Sequence, residues 1–173
     1  LMKLTAKVKL NPDDYQYQAL KETLERANAA CNRISDIAWE NRVFRQFNLH
    51  KLVYTGIREE TGLTAQAVVR AIAKVADAYK LDRQTKRTFK PHAAFPYDDR
   101  ILRWYTEKRT VSIWTVNGRS HIPFQAGERQ LYYLQYRQGE SDLVYYRGEF
   151  YLFATCDIPD PDEKDVEGVL GVD

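Results

Sequence analysis

Residues 2–14 read MKLTAKVKLNPDD, and the change of rhythm inside them decides the fold. Met2, Leu4, Ala6, Val8 and Leu10 alternate with polar side chains, the period of a strand with one buried face and lysines on the wet one. Asn11, Pro12, Asp13 and Asp14 then spell a helix start: a capping side chain, a proline suited to the first turn, and carboxylates near the positive end of the helix dipole. A strand that runs directly into a long helix predicts a mixed fold.

Beyond that switch, Leu20, Leu24, Ala27, Cys31, Ile34 and Ala38 recur at steps of three and four, one face of a helix expected to reach about Phe47. A second helix is expected from His50 to Glu60. Thr64 is placed to cap a third, with Val68, Ile72, Val75 and Tyr79 as its apolar stripe and Gln66, Arg70, Lys74 and Asp77 away from it. Three such helices make a small bundle. After Lys80 the period changes again. Residues 81–91 are polar, basic and turn-like, and then come short strand candidates: Ile101–Tyr105, Val111–Val116, Ser120–Phe124, Gln130–Arg137, Leu143–Tyr146 and Phe150–Ile158. Asn117 and Gly118 suit a tight hairpin, and residues 147–149 suggest a second. Many short, closely spaced strands predict an antiparallel barrel. The predicted architecture is therefore α+β: an antiparallel β-barrel built from 1–11 and 86–158, a helical insertion at 12–85 after its first strand, an acidic linker at 159–167, and a final apolar strand at 168–173.

Charge narrows the function classes. Residues 1–155 carry 25 basic and 17 acidic side chains, whereas 156–173 hold seven carboxylates against one lysine. Nine basic residues against four acidic ones fall between Lys80 and Arg109. A basic body is compatible with a polyanionic partner. No apolar run approaches the ~18 residues of a membrane span, and residues 1–11 have no signal-peptide core, so a cytoplasmic protein with no membrane partner is expected. Met2 reads as the natural start. Cys31 and Cys156 lack any paired spacing and are expected to be buried, reduced thiols. His50, His92 and His121 are scattered, no glycine loop is built to cradle a phosphate, and the isolated serines argue no hydrolytic triad.

The last six residues, GVLGVD at 168–173, are a short apolar strand ending in aspartate. Ribonuclease-H-type folds present a metal-binding carboxylate in this way; a strand ending at a solvated aspartate would read the same. Other elements keep it company: TAQAV at 64–68, AYK at 78–80, YDDR at 97–100, and NGR followed by IPF within 117–124. In that order and spacing the whole chain resembles the amino-terminal half of the TnpB (OrfB-type) transposon-encoded nucleases, relatives of type V CRISPR effectors. The resemblance implies a wedge-type β-barrel interrupted by a helical recognition insertion and followed by the first strand of a RuvC-like domain. It implies a guide RNA and target DNA as partners, with protein reading a short flanking motif while base pairing reads the rest. Asp173 would then be the first of three RuvC carboxylates, both catalytic and metal-binding. One carboxylate cannot hold a two-metal site, so this portion is expected to be inert alone and to bind no ion, with Mg²⁺ serving the full-length parent, a nucleoid-associated prokaryotic endonuclease.

Binding candidates follow from residue type and place. Gln66 and Arg70 lie four apart and suit bidentate contacts with adenine and guanine edges. The resemblance puts their helix near the flanking DNA motif, so Thr64, Gln66, Arg70 and Lys74 are expected at DNA, with His50, Lys51 and Tyr54 approaching the same duplex. A solvated helix face would use the same residues. Lys80, Arg83, Lys86, Arg87 and Lys90 form a basic connector suited to RNA or heteroduplex phosphates, as are Arg119 and His121 on the hairpin. Trp104, Tyr105, Trp114 and the pairs Tyr132–Tyr133 and Tyr145–Tyr146 make the barrel aromatic; alternation would bury one of each pair and leave the other to stack on bases or to pack across strands. Two other readings use the same features: a nuclease-dead, RNA-guided DNA-binding regulator, and a generic β-barrel RNA-binding module.

Overall fold

A computed structural model describes residues 1–160. The predicted strand 168–173, Asp173 and most of the acidic linker lie outside them. The fold is α+β, four helices with a nearly closed seven-strand antiparallel sheet. Strand β1, Met2–Leu10, buries Ala6, Val8 and Leu10 and exposes Lys3, Thr5 and Lys7. It pairs along its length with β7, Glu149–Ile158, and only at Lys9 and Leu10 with β5, Gly118–Gln125. The complete order is β2-β6-β7-β1-β5-β4-β3, with β2 at Phe95–Tyr97, β3 at Leu102–Tyr105, β4 at Thr110–Thr115 and β6 at Arg137–Tyr146. The two edge strands, β2 and β3, are neighbours in sequence, and the Asp98 carbonyl accepts from Ile101 N at 3.1 Å and Leu102 N at 3.0 Å. That turn brings the sheet's edges together, so the sheet curls into a barrel.

Three helices fall between β1 and β2: α1 at Asp14–Asn41, α2 at Gln46–Thr61 and α3 at Ala65–Leu81. All six α1 positions named for its apolar face are buried, as are the four of the α3 stripe. Burying each leucine or isoleucine contributes about 2 kcal/mol, which is what holds these amphipathic helices on one another and on β2 and β4 of the sheet. Asp13 caps α1 in a reciprocal box with Gln16: Gln16 N donates to Asp13 Oδ1 at 2.8 Å and Asp13 N to Gln16 Oε1 at 3.0 Å.

Several local expectations are corrected. The first helix ends at Asn41 because Arg42 turns left-handed at φ 53°; residues 42–45 are a turn, and Gln46 and Phe47 already belong to α2. Thr64 occupies the start of α3 without a side-chain capping bond. Of the expected strand Gln130–Arg137 only Arg137 is strand, the first residue of β6: residues Glu128–Leu134 form helix α4, started by Gly127 N donating to Gln130 Oε1 at 2.6 Å. Tyr132 and Tyr133 therefore do not alternate, and both are half-buried. Tyr145 and Tyr146 do alternate, Tyr146 being 55% exposed. At the first hairpin Thr115 pairs with Gly118, which makes Val116 and Asn117 the turn's centre. The turn with two positive φ angles is instead the second hairpin, at Arg147 and Gly148 (50° and 80°).

Candidate nucleic-acid interface

Four clusters of basic and polar side chains frame the helical unit and its seam with the barrel. The seam comes first. Gln66 Nε2 donates to Asp98 Oδ2 at 2.5 Å, and Arg100 Nη1 donates to Gln66 Oε1 at 3.1 Å. Arg70 is only 14% exposed; its Nε lies 3.4 Å from Asp98 Oδ2, an ion pair without a well-aimed hydrogen bond, and its Nη1 contacts Glu140. Arg119 Nη1 reaches the Arg100 carbonyl at 3.3 Å and its Nε reaches Ser112 Oγ at 2.8 Å. Gln66, Arg70 and Arg119 thus gather with Arg100, which the sequence did not single out. The face they share is no open helix surface: its guanidinium and amide groups are already engaged by Asp98 and Glu140.

Lys74 lies deeper. Its ammonium donates to Asn28 Oδ1 at 2.7 Å and to the Ala94 carbonyl at 2.6 Å, and sits 5.1 Å from the Phe89 ring centre. Burial lowers its pKa, against the pull of neighbouring Asp142. With its head held inside, Lys74 joins α1, α3 and the connector instead of projecting to solvent.

The connector between α3 and β2 is zipped along α1. Asn28, Asn32 and Ser35 share one face of α1 and bond its backbone in succession: Ser35 Oγ donates to the Arg87 carbonyl at 2.5 Å, Asn32 brackets Phe89 N at 2.7 Å and O at 2.9 Å, and Asn28 Nδ2 reaches the carbonyls of Pro91 and Ala93 at 3.1 and 2.9 Å. Tyr79 Oη accepts from Arg87 N at 3.2 Å. An extended ribbon pinned at alternate residues turns Lys86, Thr88 and Lys90 outward, and all three are exposed while Arg87 and Phe89 are half-buried. Lys80, expected in the connector, sits in the last turn of α3 and pairs with Asp77 at 3.3 Å. Two of the connector's own cations also meet carboxylates, Lys86 with Asp36 at 2.5 Å and Arg87 with Asp82 at 3.5 Å. The hydrogen bond to Asp36 raises the pKa of Lys86. Arg83 lies 5.6 Å over the Phe44 ring, and Lys90 has no ion pair with a described residue.

The fourth cluster is the outer face of α2. His50 and Tyr54 stack with centroids 4.7 Å apart and planes 13° apart. Lys51 Nζ lies 4.5 Å over Phe47, and Arg58 lies 6.0 Å over Tyr54. Phe47 is 69% exposed. The three residues anticipated here do share one face; Phe47 and Arg58 were missed, although steps of four, three and four from 47 to 58 would have found them. His121 is exposed on β5, its ring 6.5 Å from that of Tyr105.

Among the described residues no three His, Cys, Asp or Glu side chains are grouped to hold a metal ion. The one carboxylate expected to do so, Asp173, is outside them. Cys31 and Cys156 are free and buried, as anticipated, and burial pushes the Cys31 thiol up to about 12. No described helix is long and apolar enough to cross a membrane. Compared with protein-family models and with curated proteins, the chain matches none.

Proposed function

We propose that this chain is the RNA- and DNA-binding amino-terminal portion of a TnpB-like RNA-guided DNA endonuclease, with a wedge-type barrel, a helical recognition insertion, and Asp173 leading into a RuvC-like domain that uses Mg²⁺ in the full-length protein. The observation that carries the nucleic-acid reading is the α2 face. There the Lys51 and Arg58 cations lie over aromatic rings and make no ion pair with a described carboxylate. A cation backed by a ring keeps its charge for a polyanion, and the exposed ring edges can meet sugar or base. The connector adds Lys90 and Arg83, and the seam adds Gln66, Arg70, Arg100 and Arg119, beside which Thr64 starts α3. Lys74 serves in this reading as a positioning residue for the ribbon. The interrupted barrel and the ordered motifs quoted above support the guided reading.

Binding of a transposon-end RNA and of duplex DNA, measured across a salt series, tests the proposal. The double reversal Lys51→Glu with Arg58→Glu should weaken binding and reduce the salt slope by about 1 per lost phosphate contact, with unchanged circular dichroism. Unaltered affinity and slope would remove α2 from the interface. Equal affinity for an unrelated structured RNA of the same length would favour the generic RNA-binding module over a guided one.

A further inference from the structure

A hollow on the outside of the barrel shares no lining residue with the clusters above. It is a groove of about 900 Å³ floored by Lys7 and Lys9 of β1, Tyr151 and Phe153 of β7, and Val144 and Tyr146 of β6, and walled by Gln125 and Gln130. That size falls within the ~300–1,000 Å³ of ligand clefts. Strand register explains its composition. Lys7 stands opposite Phe153, Lys9 opposite Tyr151, and Tyr151 opposite Val144, so the outward row of three adjacent strands converges here while Val8, Leu152 and Leu143 face the core.

We propose that this groove binds unpaired RNA, its bases stacking on the outward rings and its phosphates meeting the lysines. The inference rests on the nucleic-acid reading above and assigns it a separate single-strand site. Tyr151 and Phe153 have centroids 6.4 Å apart, the spacing of alternate residues on a strand, so successive bases can each take a ring. Cations border the floor: Lys7 Nζ lies 4.9 Å over Phe153, and Arg147 of the neighbouring hairpin lies 5.1 Å over Tyr146. Lys9 pairs with Glu149 at 3.5 Å, an exposed contact that a phosphate can displace. Positive charge around an aromatic floor is complementary to an unpaired polynucleotide. Gln130 is held by Gly127 N and the Lys7 carbonyl, and Gln125 Nε2 donates to Asn11 Oδ1 at 3.0 Å, so Gln125 Oε1 is the wall acceptor that a ribose 2′-hydroxyl would use, which commits the groove to RNA.

The test uses the full chain and an unstructured, uridine-rich oligoribonucleotide of about ten residues carrying 2-aminopurine, whose fluorescence falls when it stacks. Tyr151→Ala with Phe153→Ala changes outward positions only. It should weaken oligonucleotide binding roughly tenfold or more and abolish the quench, leaving duplex affinity unchanged. Lys7→Gln gives a second variant that keeps every ring, and it should weaken binding and lower its salt slope. Full affinity and quench in the variants would overturn the assignment. So would equal affinity for the matching DNA, or preferential displacement by a poly-glutamate peptide of equal charge. A wild-type chain that binds structured RNA but not the oligonucleotide would overturn the groove alone; one that binds neither would overturn both proposals.

Discussion

Lys74 shows how a residue type can mislead about place. Its position on α3, away from the Val68–Tyr79 stripe, reads as solvated, yet the connector folds over it and supplies the Ala94 carbonyl as acceptor. The buried ammonium is satisfied by Asn28 and Ala94 and by the neighbouring Phe89 face. Lys74→Met keeps the volume and leaves both acceptors unpaired, so it should cost about 1–3 kcal/mol in urea unfolding at neutral pH. The pH dependence has a definite sign. Burial lowers the folded-state pKa, so between that value and the ordinary lysine value near ~10.4 the unfolded chain holds more protons. Stability due to Lys74 therefore rises with pH through that window, and the gap between wild type and Lys74→Met should widen as pH rises towards it. A gap that narrows would mean the ammonium is favoured inside. The seam poses a parallel case. Glu140 and Asp98 both hold Arg70, so Glu140→Gln should remove one of the two carboxylates and raise duplex DNA affinity a few-fold at low salt; no change would show that Arg70 does not face DNA.

At the scale of elements, α1 does two jobs with two faces. One is the apolar stripe that was legible from residue 20 to residue 38. The other is the Asn28, Asn32 and Ser35 row that zips the connector. Asn32→Ala removes both bonds to Phe89, which should cost about 1–3 kcal/mol and speed amide exchange at Phe89 with the rest of α1 unaffected. Uniform exchange in both proteins would mean the ribbon is held by its apolar contacts. The row was visible only as a composition of small and polar residues, because its partner is backbone far away in sequence, and no local period encodes that. The same limit explains α4. Residues 130–137 carry the tyrosines and leucines of a strand, but Gly127 and Gln130 start a helix there, and a seven-residue element lies below the length at which periodicity discriminates. Strand β2 escaped notice because three residues with a central proline show no alternation, yet as an edge strand it tolerates that proline. Where a face is long and buried, sequence and structure agree; where a partner is remote, they part.

For the whole molecule the question is where the charge is available. Along the sequence, nine of the 25 basic side chains of residues 1–155 fall between Lys80 and Arg109, and the connector there reads as a phosphate contact. Folding redistributes that weight. Lys80, Lys86 and Arg87 each meet a carboxylate, and Arg70 meets two, so much of the excess is neutralised locally. Counterion release scales with cations that neutralise phosphate, and a cation already held by aspartate must first exchange partners. The ranking of variants is therefore expected to invert the linear charge map. Lys51→Ala with Lys90→Ala should lower the slope of log affinity against log salt by about 2, whereas Lys86→Ala with Arg87→Ala should lower it by less, because Asp36 and Asp82 are released at the same time and repel the polyanion. Binding to one structured RNA over a salt series, with all four single variants as controls for additivity, distinguishes the two pairs. A larger loss from the paired connector cations than from Lys51 and Lys90 would mean that RNA displaces Asp36 and Asp82, and that the connector ribbon is the principal phosphate track.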